Sequence, residues 1–577
     1  GSVTVITREE IEQRQAQSLQ ELLRGELGID ITNNGGLGQK TSLFMRGSST
    51  KQTLILVDGI NLSSATYGYT AIETIPADQI ERIEIVRGTR SSLYGADAIG
   101  GIIQIFTRRN KGVNASFSAG SNSTQKTDAG FGTENSNLKF SINGAEMRSD
   151  GLNTMTNTTG DDNDKDRFKN KSVSTEIKYQ INNNNSLSLG TLYTSGSAMY
   201  DGGDARDERS FTNNSPHLTI KSTINKYTDL SINGGISLVK EIFSGGYSAT
   251  TSTEKRNFGI QTNAILDQNR LSYGLDYLKD ILESSGGTYS SNKRENLGIF
   301  ADYSGKISSY SYSASIRHDN NQQFGGHTSG SLGWKWFAIE ETLAINAGVG
   351  TAFHAPTFDD LYYQLYLPAF GSYPPYTYEG NTNLRPEKSK NIELGATGAI
   401  YLMSWSIQGY MNQINNLING RAFHLDSLGN KINSPENISK AELQGIEANL
   451  QGEWNKASLR LNYTIQDPRN KAAGENYNHI LEGRSRQSGR INIGYQLNHS
   501  RISTNINIVG PRFDDIENKS RMGGYTTIDL LSSIPLGSDF SIDAKITNAL
   551  DHQYETVKSY NQEGRGFYLT LRYQPKK

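Results

Sequence analysis

The chain has 577 residues, a formal net charge of −2 and no cysteine, and it is rich in tyrosine and glycine but poor in proline. The missing cysteines exclude structural disulfides, thiolate metal sites and cysteine catalysis, and the near-neutral charge gives no footprint for nucleic acid. No run approaches 18 consecutive apolar residues, which excludes a membrane-spanning helix but not a membrane strand, where only alternate side chains need be apolar.

Gly1-Ser2 reads as a cloning remnant, so any leader is expected to have been trimmed ahead of it. Thr7-Arg8-Glu9-Glu10 and Ser18-Leu19-Gln20-Glu21 are capping-box patterns that predict two helices, the second with an apolar face of Leu19, Leu22 and Leu23 ending at Gly25 and Gly28. Ile29-Asp30-Ile31-Thr32 follows as a short strand, then a flexible polar loop from Asn33 to Lys40. Its Gly-Leu-Gly lacks the third glycine of a dinucleotide site. Next come Phe44-Met45-Arg46-Gly47, the apolar run Leu54–Val57 closed by Asp58-Gly59, and a second polar loop between Asn61 and Glu73. Pro76 starts a predicted helical turn through Ile80 and Ile83, and Ile83-Glu84-Ile85-Val86 extends as a strand into Arg87-Gly88. Residues 1–112 therefore read as a small α+β domain with two long loops and an arginine at the end of each of two strands.

From Val113 onward the pattern is different. Leu459, Leu461, Tyr463 and Ile465 face one way, and Arg460, Asn462, Thr464 and Gln466 the other; Ile502–Ile508 and Phe567–Tyr573 behave alike. A soluble sheet would also alternate, but several hundred residues of it would divide into domains with visible linkers, and none is seen. An apolar outside and a polar lumen account for both faces, so residues 113–577 are expected to form a transmembrane β-barrel. At roughly 21 residues per strand and linker it would have about 22 strands, the size whose lumen is plugged. Short turns such as Gln180–Asn185 alternate with long linkers at Asp150–Asn170, Met199–Pro216 and Phe353–Pro386, the inequality of periplasmic and external connections.

Asn34-Gly35-Gly36, the two Arg-Gly phrases, Val57-Asp58-Gly59, Tyr94–Gly101, Asn383–Lys390, Gly445-Ile446-Glu447-Ala448, Asn548–Asp551 and Tyr554–Val557 resemble those of the TonB-dependent outer-membrane transporters, and most closely their cobalamin-importing members. The resemblance implies a barrel with residues 1–112 as a plug inside it. It also implies a bacterial outer-membrane location, and uptake of cobalamin driven by an inner-membrane TonB–ExbB–ExbD complex. The segment that binds TonB is not recognisable and is expected to have been trimmed. The family usually ends on an aromatic residue, whereas Tyr573 is followed by Gln574–Lys577, a native or an added tail.

Cargo should meet plug loops and long external loops. Candidates are Asn34, Gly36, Gln39 and Lys40 in the first plug loop, and Ser63, Thr66, Tyr67 and Tyr69 in the second, with solvated loop residues as the plain alternative. Tyr362, Tyr363 and Tyr366, with Tyr373, Tyr376 and Tyr378, form an aromatic external linker whose flat apolar rings with polar tips suit a large amphipathic cargo; an interfacial aromatic girdle is the alternative. Asp161, Asp162, Asp164 and Asp166, with Asp201, Asp204 and Asp207, offer hard oxygen ligands for Ca2+, and the resemblance adds calcium-ordered external loops. The resemblance also pairs plug Arg46 and Arg87 with barrel Glu393 and Glu447, in a wet interior, as a plug–barrel lock. His354 in Phe-His-Ala-Pro is matched in haem receptors, but no second histidine follows where those carry a haem ligand. No catalytic constellation is present, so an enzyme is disfavoured. The remaining rivals are the same carrier importing a ferric siderophore, haem or other metal chelate, and a passive porin or adhesin-like barrel. A surface lipoprotein is a further partner class left open.

Overall fold

The computed structural model describes residues 2–575 apart from 90, 156–163, 202–206, 247, 341, 368–375, 420–422, 426 and 428–430. Thr7 and Ser18 cap their helices as expected, each side chain accepting from the amide three residues on. The plug is built on a five-stranded sheet in the order Val3–Ile6, Ile80–Arg87, Gly101–Thr107, Thr53–Val57, Ile60–Asn61. Its core of isoleucine and leucine, among them Ile55, Ile83, Ile85, Ile103 and Ile105, is shared with Leu19, Leu22 and Leu23 of the second helix. Ile29–Asn33 and Thr41–Met45 make a separate hairpin whose loop is the first plug loop. The turn expected through Ile80 is shorter than predicted: a 3-10 turn covers Ala77–Gln79, and Ile80 already pairs with Thr107. β-Branched residues at 80, 83 and 85 favour the extended form once a sheet neighbour is available.

Around this plug an antiparallel sheet closes on itself, the last strand Gly566–Tyr573 pairing with the first, Gly112–Gly120. Glu208–Asn214 and His217–Asn225 are two halves of one stave, interrupted at Ser215-Pro216, and each half pairs with the same two neighbours. The wall therefore has 22 staves. Leucine, isoleucine and aromatic side chains point outward, Ile392, Leu394 and Ile446 more than half exposed, while Asn462, Thr464, Gln466, Asn505 and Asn507 are buried inside. This is the inverse of a soluble protein and what a lipid solvent requires. At one end every described connection is short, as at 181–184, 226–227, 401–402 and 455–456; at the other lie 150–167, 355–386, 471–486, 510–524 and 548–565. The linker expected from Met199 to Pro216 is shorter than predicted, because Glu208–Asn214 belongs to the wall.

Candidate functional site

Arg46 and Arg87 leave the plug at neighbouring strand ends and meet the wall at one place. Arg46 grips Glu447 with two bonds of 2.8 Å and Glu393 with a third of 2.8 Å, and stacks 4.6 Å above the ring of Tyr410. Arg87 lies 3.5 Å from Glu447 and donates to the hydroxyls of Thr4 and Ser2. The glycines in and beside these phrases have a steric reason: a Cβ on Gly28 would overlap the Glu447 carboxylate, and one on Gly88 that of Glu393. The setting is drier than expected, since the four charged side chains are only 1–6% exposed. Burial lowers the Arg87 guanidinium, with Glu447 opposing and Arg46 adding to the effect. A buried cluster of this kind holds only while all its partners are in place.

The two plug loops reach the end of the barrel with the long connections. In the first, Gln39 is buried and donates to the Met199 carbonyl at 2.5 Å, the Asn34 amide bonds the Lys40 carbonyl, Gly36 packs beside Leu152, and only Lys40 is exposed. It is a pinned loop, not the free one expected. In the second, Thr66 and Ser63 are buried, while Tyr67 and Tyr69 are partly exposed with ring centroids 5.9 Å apart, Lys40 lying 6.0 Å from the Tyr69 ring. The aromatic linker is not a girdle. Tyr363–Leu367 and Tyr376–Glu379 belong to a small sheet outside the barrel wall, with Thr288–Tyr289, Lys431–Asn433 and Phe423–Leu425. Tyr363 packs in tilted contacts between Tyr289 and Tyr378, with ring centroids 5.1 and 5.8 Å away, Tyr362 accepts from the Gln323 amide, and Tyr366 is 66% exposed. Tyr373 lies outside the described residues.

Between these parts sits a helix the sequence reading missed, Phe358–Tyr362, capped by Thr357 and Asp360 in a reciprocal box. Its first amides bond the Ala65 and Thr66 carbonyls, and Asp360 pairs with plug Lys51 at 3.1 Å, so it clamps the second plug loop. Thr357-Phe-Asp-Asp360 was the available signal. Next to it Asp359 accepts from the Tyr289 hydroxyl at 2.6 Å. Burial pushes the Asp359 carboxyl up to about 6, against the pull of the Tyr289 bond and Lys51. Burial also opposes ionisation of Asp360, but Lys51 and Thr357 outweigh it and hold this carboxyl below its usual range. A raised carboxyl stabilises the folded form below its unfolded pKa, and the contribution disappears as pH rises from about 4 through about 6. The Asp360 contribution is lost only at lower pH. Amides of 358–362 should therefore exchange more slowly at pH 5 than at pH 7.5 after correction for intrinsic rates, and Asp359→Asn should remove the difference; an unchanged profile in that variant would refute this assignment.

Of the acidic candidates, Asp161, Asp162 and Asp204 lie outside the described residues. Asp166 accepts from the Thr154 amide at 2.9 Å and Asp201 from the Thr154 hydroxyl at 2.8 Å, so carboxylates of two neighbouring external loops converge on one residue. Asp164 is half-buried near them in sequence, and Asp207 accepts from the Gly246 amide at 2.7 Å. Among the described residues no group of three metal-ligating side chains is assembled. The donor set fits a hard cation in kind.

A plug held by buried charge inside a 22-stave wall, with unequal connections at its two ends, defines a gated outer-membrane barrel. A family model for "TonB dependent receptor-like, beta-barrel" matches residues 106–549, and one for the "TonB-dependent Receptor Plug Domain" matches residues 1–102; the chain belongs to the TonB-dependent receptor family and is an outer-membrane transporter. It is 28% identical over 99% of its length to the vitamin B12 transporter BtuB of Photobacterium profundum, covering 92% of that protein, and 26% identical over its full length to BtuB of Vibrio vulnificus, again covering 92%. In fold it is similar to a mutant of the ferric enterobactin receptor PfeA of Pseudomonas aeruginosa, with a TM-score of 0.81 and 19% identity, and to the siderophore receptor PirA of Acinetobacter baumannii, with 0.82 and 18%, over 99% of this chain and 98% of each of those.

Proposed function

We propose that the protein imports a cobalamin-type corrinoid, binding it at the external face and releasing it inward when TonB, energised through ExbB and ExbD, pulls on the plug. The observation that carries the cargo is the near full-length likeness to two proteins named as vitamin B12 transporters; the siderophore receptors share the fold at under 20% identity. Tyr67, Tyr69, Tyr363 and Tyr366, with Lys40 6.0 Å from the Tyr69 ring and Asn34 and Gly36 on the same plug loop as Lys40, would supply rings and amides suited to a large amphipathic macrocycle rimmed with carboxamides. Ser63, Thr66 and Gln39 act beneath this surface by shaping the loops. Ca2+ would be held by Asp166 and Asp201, aided by Asp164 and Asp207, and would fasten the loops 150–167 and 200–207 over the cargo. Nothing in the chain is assigned to catalysis.

Purified protein should bind cyanocobalamin, more tightly with calcium than with a chelator, and Tyr69→Ala should weaken binding by about tenfold, the loss of one aromatic contact of 1–2 kcal/mol. No binding with or without calcium, alongside binding of a ferric siderophore, would move the cargo to the rival class.

A further inference from the structure

Ion pairs fasten the plug to the wall at several places. Going round the barrel, Asp78 pairs with Lys126, Arg108 with Asp128, Arg109 with Glu176, Glu73 with Arg209, Arg46 with Glu393 and Glu447, Glu10 with Arg460, and Glu21 with Lys545. From Thr228 to Ile339, six consecutive staves, no described residue makes an ion pair to the plug. The wall here is not short of buried charge. It pairs that charge with itself: Lys255 with Asp280 at 2.9 Å, and Arg317 with Asp276 and Asp319 at 2.6 and 2.7 Å. The plug is joined to this arc by neutral bonds, such as Ala65 amide to Thr253 hydroxyl and Ser92 to Ser315.

A crevice of about 330 Å³ opens along the same arc. Its upper end lies under Thr357 and Phe358 of the external clamp; its lower end lies against Arg317 and Asp276. Between them the plug presents Asn61 and Gln104 and the wall presents Asn233, Asn257, Gln261 and Asn296, among charged groups such as Lys255, Asp280 and Arg294; at its edge, on the stave after the arc, plug Asp97 meets His354 at 2.6 Å. The carboxamide oxygens of Asn257 and Asn296 are buried without a hydrogen-bond partner among the described residues, and buried polar atoms are rarely left so unless water or a ligand meets them. Separating the plug from this arc breaks neutral hydrogen bonds, whose partners can turn to water at little net cost. Separating it at Arg46, Arg108 or Glu73 would strand charges buried on both sides of the contact, which is far more costly.

We propose that cargo crosses beside the plug through this crevice, the plug parting from staves 228–339 while its ion-paired side stays fastened. The inference rests on the reading of the protein as an importer of an amide-rimmed corrinoid. The chain has no cysteine, so two tethered forms test it cleanly. Ser92→Cys with Ser315→Cys, whose native hydroxyls lie 2.7 Å apart, ties the plug to the proposed passage. Glu21→Cys with Lys545→Cys ties it to the opposite wall. Both are closed with a short bifunctional thiol reagent. The readout that needs no cargo is conductance of the purified protein in planar bilayers with urea added to loosen the plug; the second is cyanocobalamin uptake by cells, with surface binding measured alongside. The Ser92/Ser315 tether is expected to abolish the conductance steps and reduce uptake at least tenfold with surface binding intact, while the Glu21/Lys545 tether leaves both. Equal block by both tethers would overturn the proposal in favour of whole-plug exit, and block by neither, or by the second alone, would place the opening elsewhere. Failure of cyanocobalamin to bind would remove the cargo reading and leave the conductance result to decide the passage.

Discussion

Deletion of residues 1–111 is expected to leave a folded barrel that leaks. The wall closes on itself through the pairing of 566–573 with 112–120 and needs no plug strand to complete its hydrogen bonds. A lumen of this strand number is wide enough for water and solutes once its stopper is gone. The truncated protein should conduct ions continuously in planar bilayers, sensitise cells to bulky antibiotics, and turn saturable uptake into uptake proportional to external concentration. Correct folding is checked by the heat-dependent shift in gel migration of an intact barrel. Saturable, selective uptake in the truncated protein would instead favour a passive porin or adhesin-like barrel with a dispensable N-terminal domain.

Arg46→Ala should be the most damaging single substitution in the plug. It removes three charge-assisted bonds and leaves Glu393 and Glu447 buried beside each other with only Arg87, 3.5 Å from Glu447, to compensate. Breaking a buried pair from one side costs about 3–5 kcal/mol. Because the barrel is held by its own hydrogen bonds, the loss should appear in the plug: amides of Ile80–Arg87 and Thr41–Met45 should exchange by a factor of a hundred or more faster, about 1.4 kcal/mol per tenfold, with wall amides unchanged. Glu447→Gln in the same chain should recover part of this by removing the stranded charge, so that the double variant costs less than the sum of the singles. Equal exchange in Arg46→Ala and wild type would show that the cluster does not hold the plug.

Much of this architecture was legible in the chain because its physical causes are local. Period-two alternation such as Leu459–Gln466 names both the strand and its two solvents, and the unequal linkers orient the barrel. Where the wall rises above the hydrocarbon band the signal fades. Glu208–Asn214 carries an inward-facing phenylalanine, Phe211, packed beside Phe168 and Ala198, and polar residues outside, so its pattern names neither lipid nor lumen and is indistinguishable from a linker. Arg46 and Arg87 stood out as strand ends, and family likeness supplied Glu393 and Glu447. Their dry, bidentate geometry depends on closure of a sheet hundreds of residues long. The clamp of Phe358–Tyr362 on Lys51 and Thr66 is likewise a long-range contact, visible beforehand only as a capping pattern, and the arc without plug ion pairs needed the register of every stave.

The N-terminal strand adds a mechanical consequence. Val3–Ile6 lies at the edge of the plug sheet, antiparallel to Ile80–Arg87, and Ser2 and Thr4, at its start, are bonded to Arg87 through the Ser2 carbonyl and the Ser2 and Thr4 hydroxyls. Tension applied at Ser2 would thus be carried first by one guanidinium and a few hydrogen bonds in series, not shared by the whole domain in parallel. Bonds loaded in series yield one after another, so a modest steady force suffices. The first of them to give frees Arg87, which only approaches Glu447 at 3.5 Å, while the three bonds of Arg46 to Glu393 and Glu447 stay in place, so the edge of the plug sheet can loosen before its fastening to the wall does.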